Sequence, residues 1–194
     1  MTYKEQKFNL PELKGISSKQ VEVHLGLYGG YVKHVNLLKD ELAKLQEQHP
    51  YTSSELRRRF SFEFNGMRMH EYYFEQLENG ATPADQDGAF AKSAGEKYGS
   101  WEKFIQHVKD VGMSRGIGWT VVYFDQKVGT HHIIWVGDHE LGQLGGLPII
   151  LAMDMWEHAY MVDYTPAEKG RYIDAFLANL NWGVIEKRFT NANR

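Results

Sequence analysis

The stretch DMWEHAYMVDY, Asp154 to Tyr164, packs carboxylates, a histidine, a tryptophan and two tyrosines into eleven residues. Asp154 and His158 stand four residues apart. That spacing lets two side chains share a helix face, or share one ion where a strand end enters a turn. On spacing alone, such a pair is more often a surface ion pair or a helix cap. The setting argues otherwise. Asp154 follows LPIILAM, in which five of seven residues are large and apolar, and a carboxylate at the end of a buried strand is costly unless paired or metal-bound.

Two further histidines fall on apolar stripes. His24 runs with Val21 and Tyr28, and His70 with Met67, Tyr73 and Phe74. Each taken singly reads as a hydrogen-bonded core histidine. Taken with Asp154 and His158, they make a set of three imidazoles and one carboxylate with an open position. Such a set suits iron, manganese or zinc, not magnesium or calcium. His34, His49, His107, His131 and His132 read as solvated or structural, and the last two face opposite ways on an alternating strand. His139 stays ambiguous, because it lies in the loop before the strand that delivers Asp154.

Bulk properties narrow the field. The 194 residues carry a net charge of −3 and are 42% hydrophobic, which fits a globular protein with one domain or two small ones. Nucleic acid and anionic membrane are not expected partners on that charge. With no cysteine, thiolate zinc sites, disulfides and iron–sulfur clusters are excluded. The opening MTYKEQKFNLPEL has no apolar signal core, and no apolar run is long enough to span a bilayer. A cytoplasmic protein is expected.

The elements that must position these residues follow from periodicity. Residues 1–19 read as an irregular lead-in, with Ser17 and Ser18 as caps. Leu25, Tyr28, Val32, Val35, Leu38 and Leu42 set a helix from Gln20 to about Gln48, with Gly29–Gly30 as a kink or a close approach. A second long helix is expected from about Ser54 to Glu78, capped at Thr52 or Ser53. ENGATPADQDG is a loop and the boundary between two domains, 1–82 and 83–194. Residues 86–110 form two short helices split at KYGS. GWTVVYFDQ and THHIIWVGD form an antiparallel hairpin, LPIILAMD is a third strand, and a helix runs from Pro166 to about Phe189. The expected class is α+β: an N-terminal long-helix hairpin, then a C-terminal domain with a three-stranded antiparallel sheet. A di-iron bundle would need two E-x-x-H motifs on long helices, and these are not found.

DMWEHAY resembles the D-x-W-E-H-A-Y signature of the iron/manganese superoxide dismutases. FNLPEL, VEVHLGLYGGYVKHVN, MHEYYFEQL, GIGW and RYIDAFLANLNW resemble further segments of that family in the same order, so the likeness covers nearly the whole chain. The resemblance implies one iron or manganese ion per subunit, held by His24, His70, Asp154 and His158. It gives Tyr31 the place of a gateway tyrosine, Asn36 that of a helix asparagine, and Trp119 and Trp156 those of an aromatic shell. Glu157 would reach His158 of a second subunit in a homodimer or a dimer of dimers. The activity implied is conversion of superoxide to oxygen and hydrogen peroxide by one-electron cycling, which zinc cannot perform. The alternative is a catalytically weak or inactive metal-binding relative.

Four departures from the family pattern stand out. His24 and Tyr31 are seven steps apart, one fewer than in the family, and Leu27, Tyr28 and Gly29 fill the region where the family carries a second histidine. Met161 replaces the tyrosine that partners that histidine across the dimer. The family's outer glutamine, on the second helix or on the loop before the Asp-bearing strand, corresponds to Gly66 on the helix and to His139 on the loop, with Asp138 as the other reading of the loop. Ala152 stands where glycine or threonine is usual. His139 leans the expectation toward iron, with use of either metal left open. An imidazole there is expected to add pH dependence between about pH 6 and 8.

Overall fold

The computed structural model describes residues 1–45 and 49–194. Helices α1 (Ser18–Leu45) and α2 (Pro50–Glu75) form the expected long hairpin. Then come α3 (Ala89–Tyr98), α4 (Trp101–Gly112), the strands β1 (Gly118–Asp125), β2 (Thr130–Gly137) and β3 (Ile149–Asp154), and finally α5 (Lys169–Ala178) and α6 (Trp182–Ala192). The strands form one antiparallel sheet in the order β2-β1-β3. This is the α+β architecture read from the periodicity.

Helix α1 buries Gln20, His24, Tyr28, Val32, Val35 and Leu38, a stripe at three- and four-residue steps. Ser17 caps it, its hydroxyl accepting from the Gln20 amide at 3.1 Å. The helix passes through Gly29–Gly30 without interruption. Gly29 is a close approach, since a Cβ there would stand 3.0 Å from the Glu5 carboxylate. The expected end near Gln48 lies outside the described residues. Helix α2 starts at Pro50, ahead of the expected cap at Thr52 or Ser53, because a proline ring is pre-set for the first helical turn.

Strand β1 is central and is buried from Gly118 through Phe124, on both faces rather than alternately, because it lies between β2 and β3 with helices packed on it. Its register sets Trp119 opposite Asp154 on one side and Val136 on the other. His131 is buried and bonded to the Ser93 hydroxyl at 2.8 Å, while His132 faces the other way and is half-buried. The expected single C-terminal helix is instead a short 3-10 turn, Pro166–Glu168, followed by α5 and α6. The break falls at Asn179–Asn181, where polar groups prefer other partners. The Asn179 amide bonds both backbone groups of Lys14, and the Asn181 backbone N–H goes to the Gln76 carbonyl at 2.8 Å.

Residue Gln76, at the end of α2, fixes β3 against that helix. Its side-chain amide donates to the Ala152 carbonyl and accepts from the Ala152 N–H at 3.3 Å, with both residues buried. Arg188 of α6 reinforces the seam through the Tyr72 carbonyl at 3.0 Å, the Ile150 carbonyl at 3.3 Å and the Glu75 carboxylate at 2.9 Å. Ala152 lies two residues before Asp154, so this seam sets the distance between α2 and the strand end. Gln76→Met keeps the volume and strands two buried backbone groups. It is expected to cost about 2–4 kcal/mol in denaturant unfolding of the metal-free protein. An unchanged midpoint would mean that Ala152 is paired some other way.

Candidate metal centre

Four side chains converge from four elements. His24 comes from α1, His70 from α2, and Asp154 and His158 from the end of β3 and the 3-10 turn after it, Glu157–Ala159. One potential ligand atom from each lies within 4.8 Å of all the others. Asp154 Oδ2 is the hub: His24 Nε2 stands 3.0 Å away, His158 Nε2 3.1 Å and His70 Nε2 3.5 Å. His24, His70 and Asp154 are buried, and the His158 side chain is 16% exposed.

Tautomers decide what the cluster lacks. His70 Nδ1 donates to the Gly66 carbonyl at 2.6 Å. A neutral ring then carries its proton there, and Nε2 is a bare lone pair. That nitrogen is buried without a hydrogen-bond partner and faces a carboxylate oxygen. Two buried acceptors turned toward each other repel, and a shared cation resolves the conflict.

The charge states agree. Burial pushes His70 well below its ordinary value and also lowers His24, despite the nearby Asp154. Burial alone would raise the Asp154 carboxyl, but the His158 and His24 imidazoles hold it far below the usual carboxylate range. Neutral His24 and His70 imidazoles beside an ionised Asp154 are protonation states that suit a transition metal. The donor set fits iron or manganese.

Comparison with known proteins agrees with this geometry. Residues 86–188 match the family model for iron/manganese superoxide dismutases, C-terminal domain. The chain is 34% identical to a superoxide dismutase [Fe] of Sulfolobus acidocaldarius, over 89% of this chain and 85% of that protein. It is 33% identical to a superoxide dismutase [Fe] of Cupriavidus metallidurans, over 94% and 93%. A superoxide dismutase [Mn/Fe] of Aeropyrum pernix is 29% identical over 87% and 80%.

The chain belongs to the iron/manganese superoxide dismutase family.

The remaining residues singled out from that family fall at different distances from the cluster. Tyr31 is half-buried, with its ring 5.0 Å from that of His70. His139 is fully buried and bonds the Tyr31 hydroxyl through Nε2 at 2.7 Å. Its Nδ1 accepts from the Trp119 indole N–H at 2.9 Å. Indole can only donate, so His139 carries its proton on Nε2 and donates it to Tyr31. The Tyr31 hydroxyl hydrogen is thereby free for another acceptor. Burial raises the Tyr31 phenol, and the charge of Asp154 raises it further.

The expected titration of His139 between pH 6 and 8 is not what the structure gives. Burial pushes the ring down to about 4, and a cation in the cluster would push the same way. His139 is therefore neutral across that range. Asp138 contributes its carbonyl to the Trp156 indole at 3.1 Å. Trp156 stacks between His139, at 4.8 Å, and His158, at 5.6 Å.

Asn36 lies apart from the cluster. Its amide pairs with both backbone groups of Tyr3 at 2.9 Å and clamps the N-terminal segment to α1. Glu157 is exposed, as are Met161 and Val162. Tyr28 points inward: its hydroxyl takes the Gln6 N–H at 2.9 Å and reaches Glu71 at 3.2 Å. Gly66 is covered by the Tyr31 ring, and a Cβ there would stand 2.6 Å from that ring.

Sequence reasoning missed three positioning groups. The first, Gln20, is buried one turn before His24. Its amide donates to the His158 carbonyl at 2.6 Å and accepts from the Val162 N–H at 3.0 Å. The second, Tyr172, donates to the Asp154 carbonyl at 2.7 Å. Phe62, the third, lies 4.7 Å from the His139 ring. The four-residue step from Gln20 to His24 on one stripe was the available signal for the first, and nothing local marked the others. Gln20→Leu should keep the fold and lower metal affinity by roughly 10–100-fold, the usual cost of losing an outer support. Competition with a chelator measures it, and unaltered affinity would show that His158 is held by packing alone.

Proposed function

We propose that this chain is a superoxide dismutase that holds one iron or manganese ion per subunit through His24, His70, Asp154 and His158. The observation that carries the reading is the lone pair of His70 Nε2 facing Asp154 Oδ2 at 3.5 Å with no proton donor between them. The relatives named above lean the choice of metal toward iron, and the mixed-metal relative keeps manganese in the reading.

When bound, the metal supplies one-electron cycling between its trivalent and divalent states, so that one superoxide is oxidised to oxygen and the next, with two protons, becomes hydrogen peroxide. The chain's own residues do the rest. Asp154 brings a full negative charge that offsets part of the cation's. Trp119 fixes the tautomer of His139, and His139 fixes the Tyr31 hydroxyl. Tyr31 then presents its O–H to a small anion entering beside His158. Trp156 and Phe62 wall that entrance with apolar surface and limit what reaches it. The alternative of a weak or inactive relative gains no support from any residue of the site, since all four ligands, Tyr31 and His139 are present.

Separate reconstitution with iron and with manganese, followed by metal analysis and a superoxide assay, tests the reading. About one ion per chain and activity with at least one metal are expected. His158→Ala should abolish tight binding, and a variant that keeps one ion per chain would defeat the ligand assignment.

The same proposal includes a homodimer or a dimer of dimers, a two-domain organisation at 1–82 and 83–194, and a cytoplasmic setting. For the dimer, support comes from exposed Met161 and Val162 beside exposed Glu157, next to His158 in the chain. Glu157 would then reach His158 of the second subunit. Sedimentation should give at least twice the chain mass, and Glu157→Ala should shift it toward monomer. A wild-type monomer at micromolar concentration would end the dimer proposal.

A further inference from the structure

Superoxide is a small anion, and the charges nearest Tyr31 include several carboxylates. Asp154, Glu63 and Asp138 all act on the Tyr31 hydroxyl in the direction that disfavours negative charge there. Glu140, next to His139, lies just across from α2, where it takes the Ser61 hydroxyl at 2.6 Å. The whole chain is at −3. A substrate of the same sign needs a local positive field to overcome this.

A bound metal supplies part of it from within, and one clamped cation, Arg59, adds to it at the rim. Arg59 lies one turn before Phe62 on α2, with its guanidinium 3.9 Å from the Phe62 ring centroid. Phe62 in turn lies 4.7 Å from His139, 6.2 Å from Tyr31 and 6.4 Å from Trp156. The arginine is not free to swing. Its Nε and Nη2 both reach Glu63 Oε1, at 2.9 and 2.7 Å. Glu63 is buried, and its other oxygen faces His34 Nδ1 at 3.7 Å. The Arg59 side chain remains half exposed, so its charge faces solvent at the rim. Its positive charge also bears on both Tyr31 and His139.

We propose that Arg59, stacked on Phe62 and clamped by Glu63, is the steering cation that gathers small anions such as superoxide at the Tyr31 entrance. Glu63 has two effects in this arrangement. It holds the guanidinium in place, and its own charge weakens the field. The two residues therefore act in opposite directions on anion capture. The inference rests on the dismutase reading for its substrate, and on the geometry alone for its preference for anions.

The test uses metal-loaded protein and two readouts: kcat/KM for superoxide against ionic strength, and azide affinity by optical titration. Arg59→Gln should lower both at low salt by roughly three- to ten-fold, the low end of what steering supplies. The difference should close as salt screens it. Arg59→Lys keeps the charge and should stay within about two-fold of wild type. Lys127→Gln makes the same change in net charge in the β1–β2 turn, at the opposite end of the sheet from Asp154, and should change neither readout. If Arg59→Gln loses its metal because Glu63 is left unpaired, Glu63→Gln decides the matter, with both readouts expected to rise. Equal responses in the Arg59 and Lys127 variants, or no rise in Glu63→Gln, would overturn the inference. Absence of dismutase activity in the wild type would overturn the proposed function instead, and the azide titration would still decide the role of Arg59.

Discussion

His70 Nε2 and Asp154 Oδ2 face each other at 3.5 Å in the buried interior, and neither carries a proton to share. Much of the fold serves to keep that confrontation in place. The Gly66 carbonyl holds the His70 proton on the far nitrogen. The Trp156 amide occupies Asp154 Oδ1 at 2.8 Å, so Oδ2 alone faces inward. Tyr172 pins the Asp154 backbone, and Gln76 with Arg188 pins the strand to α2. Without a cation, the buried His70 Nε2 lone pair is left unsatisfied, a cost of about 1–3 kcal/mol. With one, the same packing becomes a preorganised site.

The four side chains that converge at the cluster were legible because each left a mark in its own segment. His24 and His70 lay on apolar stripes, and Asp154 ended an apolar strand. The sheet was equally legible, since β-branched and aromatic runs and turn chemistry coincide in 118–137, although β1 is buried on both faces and does not alternate. What stayed hidden was contact between segments far apart in sequence. Gln76 meets Ala152, Gln20 meets His158, and Phe62 meets His139, and each pair joins residues from separate elements. Periodicity describes one element at a time and is silent on such pairs. The break at Asn179–Asn181 was missed for the same reason, because the groups that stop the helix belong to Lys14 and Gln76. His139 was misjudged in its acidity because a loop position says nothing of burial.

The departures around Tyr28 and Met161 sort into inside and outside. Tyr28 is turned into the helix pair and bonded to Glu71 and Gln6, so it takes no part in any outward contact. Met161 sits exposed near the turn that carries His158. One position has become part of the interior, and the other presents an apolar surface. A link of two polar groups across subunits has no counterpart in either.

The Tyr31 ring resting on Gly66 has a consequence for how this site can change over generations. Any side chain at position 66 must displace the ring, and the ring's hydroxyl is bonded to His139. The helix and the loop therefore offer mutually exclusive places for the polar group beside the cluster. A lineage that moved this group from the loop to the helix would have to alter position 66, Tyr31 and His139 together, because each single replacement leaves a clash or a hole. Such sign epistasis isolates this arrangement from one that carries the polar group on the helix.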